Sequence, residues 1–177
     1  MSQLFNRFSK LGMYLQRLIL LGVCCLLATQ LWVAPASATG VYDLPLTPEV
    51  GDWIVDEADI LSRLTEGNLS DRLGDLAKRT GNEVRFVTIH RLDYGETIQT
   101  FTDQLFEKWF PDPEGQAHQT LLVLDNVTNT VGIRTGEAVK SLLSDEAADS
   151  VAQETTLAPL RSGNKYNQAF SDASDRL

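Results

Sequence analysis

Cysteine occurs only at positions 24 and 25 of the 177 residues, both inside an N-terminal apolar run. The chain behind that run therefore has no thiol, which excludes disulfide staples, thiolate catalysis and Cys-ligated zinc. Histidine is nearly absent too. His90 and His118 stand 28 residues apart, a spacing that establishes no pairing with a carboxylate. No Gly-x-Ser-x-Gly elbow supports a hydrolytic triad. P-loop, Gly-x-Gly-x-x-Gly and calcium-loop patterns are also missing. Basic residues are scarce: 15 Lys and Arg stand against 24 Asp and Glu. Three of those bases and none of the acids lie before residue 39, so residues 39–177 hold 12 bases against 24 acids, a net of −12. That sign argues against nucleic acid and anionic membrane surfaces as partners, because Lys and Arg dominate both affinities. It suits divalent cations, or an ordinary solvated acidic surface.

What is present begins with a leader. Arg7, Lys10 and Arg17 form a basic start, followed by the apolar stretch Leu18–Val33 and the small-x-small triplet Ala36-Ser37-Ala38. This is the pattern of an export signal cleaved after Ala38, with an uncleaved N-terminal anchor as the alternative. Its 16 residues, weakened near the end by Thr29 and Gln30, fall short of the ~20 that a spanning helix needs. Val23 before Cys24 is not the small residue that a lipoprotein site wants. Residues 1–38 are thus read as signal or anchor, 39–52 as a Pro- and Gly-bearing linker, and 53–177 as one domain with one core.

The domain is organised around Thr120–Thr135. Thr120–Leu124 is an unbroken apolar run, the mark of a strand covered on both faces, and Thr130–Arg134 alternates. Asp125, Asn126 and Asn129 supply turn chemistry between them. Upstream, the sequence predicts a short helix after Asp56 as N-cap, with Asp59 in its first turn. A longer helix opens at Thr65 or Glu66 and stops at Gly81. Glu83–His90 reads as a strand, Glu96–Trp109 as an amphipathic helix and Pro111–Gln119 as a loop. Downstream, Glu137–Leu143 reads as a short helix and Ser144 caps another. Pro159 breaks the chain, and Lys165–Leu177 is a last helix. Helices separated by strands imply an α/β fold: a three-layer α/β/α sandwich with a small mixed sheet of about three to four strands and helices on both faces.

Carboxylates are the candidate chemistry. Asp56 precedes the first helix, Asp125 ends the central strand, and Asp145 and Asp149 begin a later helix. Such groups can converge on a hard cation, calcium or magnesium. The local alternative makes Asp56 and Asp145 caps and Asp125 a turn residue. His118 precedes the central strand, where ligand loops sit in open α/β sheets, and is a candidate acid; a solvated loop histidine is the alternative.

Four segments in order carry a family resemblance: Val55-Asp56-Glu57-Ala58-x-x-Leu61-Ser62, Glu107-Lys108-Trp109-Phe110-Pro111, Leu121–Leu124 and Lys165-Tyr166-Asn167-Gln168-Ala169. Over roughly residues 50–177 the chain resembles the TPM domain, specifically the thylakoid lumenal and cyanobacterial members associated with photosystem II. The resemblance implies an α/β/α sandwich located in the thylakoid lumen or on the periplasmic side. It implies a role in assembly, repair and photoprotection of photosystem II, and the acidic, cysteine-free domain favours a non-catalytic accessory factor in that role. Photosystem II subunits or assembly intermediates would be the partners, with thylakoid membrane contact through the N-terminal segment if it is uncleaved. A monomer without nucleic-acid partners is expected. Some relatives are described as acid phosphatases with a carboxylate-lined, calcium-binding cleft, so a calcium-dependent phosphomonoesterase is the alternative; Asp56 is the clearest cleft match, and Asp145 and Asp149 are further ones. Many TPM domains carry Asp/Asn-x-Gly before the central strand. Here Ala117-His118-Gln119 stands in that place, without the expected ligand and glycine.

Overall fold

A computed structural model describes residues 38–177, together with Ile19 and Leu20. Apart from Ile19, Leu20 and Ala38, the proposed signal, with its basic positions, Cys24 and Cys25, lies outside the described residues. Ala38–Leu177 forms one compact unit. Among the described residues no helix is long and apolar enough to cross a membrane.

Four strands, β1 (Ile54–Asp56), β2 (Glu83–Ile89), β3 (Gln119–Asp125) and β4 (Thr130–Thr135), form one sheet in the order β1-β2-β3-β4. The first three run parallel, and β4 returns antiparallel beside β3 through the Asn-rich turn. In that turn Asn129 takes φ 51°, a left-handed conformation that Asn tolerates. From Thr120 to Asp125 every residue of β3 is buried, as the unbroken apolar run requires. The helices are α1 (Arg63–Thr80), α2 (Ile98–Trp109), the single turn α3 (Pro113–Gln116), α4 (Asp145–Ser150), α5 (Leu157–Arg161) and α6 (Tyr166–Arg176).

The sheet separates two apolar clusters. On one face Val84, Phe86, Leu122, Leu124, Val131 and Ile133 pack against Leu69 and Leu73 of α1, the α4–α5 segment, and Ala169, Phe170 and Ala173 of α6. On the other, Val87, Ile89, Leu121 and Val123 meet Phe101, Leu105, Phe106 and Trp109 of α2. Each fully buried Phe or Leu in these layers contributes about 1.5–3 kcal/mol through removal from water. This is the expected mixed sheet with helices on both faces.

Local differences have local causes. No helix follows Asp56: strand β1 ends there, and a turn leads to Ser62. Ile54 and Val55 are β-branched, and they find a parallel partner in Phe86–Thr88. The long helix starts at Arg63, earlier than predicted, because Ser62 Oγ accepts from the Thr65 amide at 3.2 Å. Its end is as predicted: Gly81 at φ 74° donates its N–H to Ala77. The predicted loop before β3 contains α3, opened by Pro113 at its first position. The predicted helix over 137–143 shrinks to a 3₁₀ turn, Val139–Ser141.

Pro159 does not break the chain; it lies inside α5. The preceding Val151–Thr156 segment is a π-helical turn, in which Thr156 Oγ1 donates to the Val151 carbonyl at 2.9 Å. A widened turn gives the proline ring room where a regular α-helix would clash. The segment 39–52 lies against α2. Leu44 is buried, Lys108 Nζ donates to the Val41 and Leu44 carbonyls at 2.8 and 2.9 Å, and Trp109 Nε1 donates to Pro45 O at 2.9 Å.

Candidate functional site

Parallel strands gather their carboxyl ends on one edge, the usual ligand side of open α/β sheets. Here that edge carries Asp56 at the end of β1, Thr88 and Ile89 of β2, and Asp125 at the end of β3. Asp56 and Asp125 flank β2, so their backbones stand about 9–10 Å apart, two interstrand spacings. Both carboxylates are committed to their own surroundings. Asp56 Oδ2 accepts from the Leu61 amide at 2.8 Å, fixing the turn before α1, while Oδ1 accepts from the Thr88 hydroxyl. Thr88 Oγ1 in turn accepts from Ala58 N at 3.1 Å.

Asp125 is fully buried. Its Oδ1 accepts from the amides of Val127 (2.8 Å) and Thr128 (3.3 Å), and its Oδ2 from Thr128 Oγ1 (2.9 Å) and Leu92 N (3.4 Å). One side chain therefore ties the β3–β4 turn to the loop after β2, which is what makes its burial tolerable. Tyr166 at the start of α6 closes the same edge. Its hydroxyl donates to the Asn126 carbonyl at 3.2 Å and lies 3.3 Å from Asn129 Oδ1. Burial, then the Asp125 charge, pushes the phenol above its ordinary value. Asn129 Nδ2 donates to Asn164 Oδ1 at 3.1 Å.

The other predicted carboxylates lie elsewhere. Asp145 and Asp149 belong to the first turns of α4, opened by Ser144 Oγ accepting from Ala147 N at 3.3 Å. They line an open cleft of about 420 Å³ with Gln99, Arg134, Thr135 and Lys140. The β4 residues of that cleft pair with Thr120–Leu122, the end of β3 away from Asp125. Lys140 sits 3.7 Å from Asp145 and 3.3 Å from Glu137. His118 is exposed and also lies at the amino edge, its Nδ1 2.8 Å from Asn82 Oδ1 and its carbonyl accepting from Glu83 N. The structure thus brings Asp56 and Asp125 to one edge and leaves Asp145, Asp149 and His118 away from it. Among the described residues no group of three or more His, Cys, Asp and Glu side chains is arranged to hold a metal ion. The carboxyl-edge carboxylates serve loops rather than an open ligand set.

The sequence assigned no site role to Thr88, Tyr166 or Arg85. Arg85 is buried between Trp53 and Phe110, its guanidinium carbon 5.3 and 5.4 Å from their ring centroids, and pairs with Glu83 at 2.7 Å. An arginine inside an apolar strand was the available signal, since such a charge needs partners.

The sheet order, the covered central strand and the helices on both faces define a small α/β domain. The chain belongs to the TPM domain family, whose model matches residues 54–177. Chloroplastic UPF0603 proteins of Oryza sativa, from subspecies indica and japonica, are each 31% identical over 130 residues, covering 73% of this chain and 43% of theirs. A chloroplastic UPF0603 protein of Arabidopsis thaliana is 29% identical over 130 residues, 73% of this chain and 45% of that protein. The chain thus spans less than half the length of these relatives. Among solved structures, the N-terminal domain of a P. gingivalis protein superposes with TM-score 0.69 at 24% identity, covering 78% of this chain and 88% of that one. The N-terminal domain of the Corynebacterium glutamicum protein cg2496 gives 0.59 at 17% identity, over 75% and 82%. These two share the fold.

Proposed function

We propose that this chain is an exported, non-catalytic accessory factor on the lumenal side of the thylakoid, acting in photosystem II assembly, repair and protection from photodamage. One observation carries the non-catalytic reading. At the edge where α/β folds assemble ligand groups, Asp56 and Asp125 are bound to the protein's own amides and hydroxyls. What this edge presents outward is a surface for recognition. The plastid setting draws on the chloroplastic relatives and on the signal-like leader; the photosystem partner draws on the family resemblance. The acidic balance of 12 bases against 24 acids over residues 39–177 gives phosphoryl transfer little positive charge to work with.

The test pairs two measurements on the full chain: retention of isolated photosystem II assembly intermediates, and phosphomonoester hydrolysis with and without calcium. Retention of the intermediates without turnover is the expected result. Calcium-dependent turnover that Asp56→Asn abolishes, in a protein that stays folded, would instead make this an acid phosphatase.

A further inference from the structure

Two loops meet beside the carboxyl edge and present an unusual surface. Thr39 pairs with Leu92 in an isolated parallel bridge, its amide donating to Arg91 O at 2.6 Å, which brings residues 39–43 alongside 91–96. Asp43 Oδ2 accepts from Gly40 N at 2.8 Å and holds the first loop closed. Asp93–Glu96 forms a tight turn, the Glu96 amide donating to Asp93 O at 3.2 Å. Gly95 at φ 86° occupies the third position, where a turn of this kind needs a left-handed residue. The turn lifts Tyr94 wholly into solvent, while Tyr42 is 76% exposed and its hydroxyl donates to Asp93 Oδ2 at 3.0 Å.

Among the described residues no Lys or Arg nitrogen pairs with Asp43, Asp93 or Glu96. Lys108 is already committed to the carbonyls of Val41 and Leu44, and Arg91 makes no ion pair among the described residues. The hydrogen bond to Asp93, with the charges of Asp93, Asp43 and Glu96, raises the Tyr42 phenol above its usual range. Burial and the Asp93 charge raise Glu96 likewise. The Asp93 and Glu96 carboxylates lie close enough for like-charge repulsion, and among the described residues no Lys or Arg pairs with either. Exposed aromatic rings are the side chains most enriched in protein interfaces, and their faces attract ammonium and guanidinium groups.

We propose that Tyr42, Asp43, Asp93, Tyr94 and Glu96 form a docking surface for a lysine- or arginine-bearing segment of a partner protein. The carboxylates supply the charge that such a segment lacks, and the two rings supply the apolar contact area that a bare acidic cluster does not. The inference rests on the reading of this chain as a binding factor and says where on it a partner docks.

The probe is a synthetic six-residue peptide alternating arginine and glycine, titrated into the full chain and followed by amide chemical shifts. Its counterpart with neutral citrulline in place of arginine is the control. The arginine peptide should shift the Tyr42, Tyr94 and Gly95 amides saturably, and the citrulline peptide should not. Raising salt should weaken the effect, as screening shortens from ~10 Å at 0.1 M to ~3 Å at 1 M. The double variant Asp93→Asn, Tyr94→Ala should lose affinity by at least about fivefold, and its undisturbed remaining spectrum would show that it is folded. Equal affinity in the variant, shifts confined to another surface, or calcium alone shifting these amides where the peptide does not would each overturn the proposal. If photosystem II intermediates bind wild type and double variant equally, the docking surface is wrong and the accessory role stands. If the peptide binds here but no intermediate is retained, the accessory role is wrong and the surface stands.

Discussion

Asp125 shows how one residue can organise an edge without performing chemistry. Its two oxygens accept four hydrogen bonds from three residues on two loops while fully buried. Asp125→Ala would leave those donors without their acceptor, so a loss of about 2–4 kcal/mol is expected, read as a lower urea midpoint. Tyr166 gives the same edge a pH limit. Its phenol is raised above the ordinary ~10 by burial and by Asp125, so the folded chain holds that proton more tightly than the unfolded one. The stabilisation is intact below the unfolded value and is lost as pH rises through the folded value. Urea midpoints should therefore fall on the alkaline side of pH ~10, and less steeply in Tyr166→Phe. Tyr42 shares the direction of shift, so the difference between wild type and this variant isolates Tyr166; identical alkaline slopes would refute the assignment.

Elements meet tightly where α2 crosses β4 at Gly132. A Cβ there would run into Thr102 Oγ1 and come within 2.9 Å of the Ile98 carbonyl, and Thr102 is itself fully buried with its hydroxyl donating to Ile98 O. Gly132→Ala should push the helix off the strand at a cost of about 1–3 kcal/mol; an unchanged melting temperature would show that the contact relaxes freely. The element pattern was legible in the sequence where periodicity was long. The β3–β4 pair and α2 follow from runs of five or more residues with clear spacing. Strand β1 was not legible, because three residues show no period and only the partner β2 makes them a strand. Pro159 misled for a related reason: its effect depends on the π-helical turn before it, which no local propensity announces. The same holds for the carboxylates. Their spacing allowed one cluster, but the register of β4 sends Asp145 and Asp149 to the end away from Asp125.

At the scale of the molecule, one sheet serves two cores, and the question is whether they fail together. Every buried apolar side chain of the strands contributes to one cluster or the other, so losing either helical layer exposes one face of β2 and β3 and removes support for their pairing. A single cooperative transition should result. The sequence supplies a reporter for each layer. Trp53 packs against the α1–α6 face, and Trp109, 2% exposed, sits in the α2 face, where its indole also holds Pro45. In a Trp32→Phe background, Trp53→Phe leaves Trp109 to report one core and Trp109→Phe leaves Trp53 to report the other. Each variant's fluorescence transition in urea should coincide with its own far-ultraviolet dichroism. If Trp109 responds first, the α2 layer and the segment 39–52 detach before the sheet unfolds. The surface of Tyr42 and Tyr94 would then be a separable unit, able to loosen while the α1–α6 core persists.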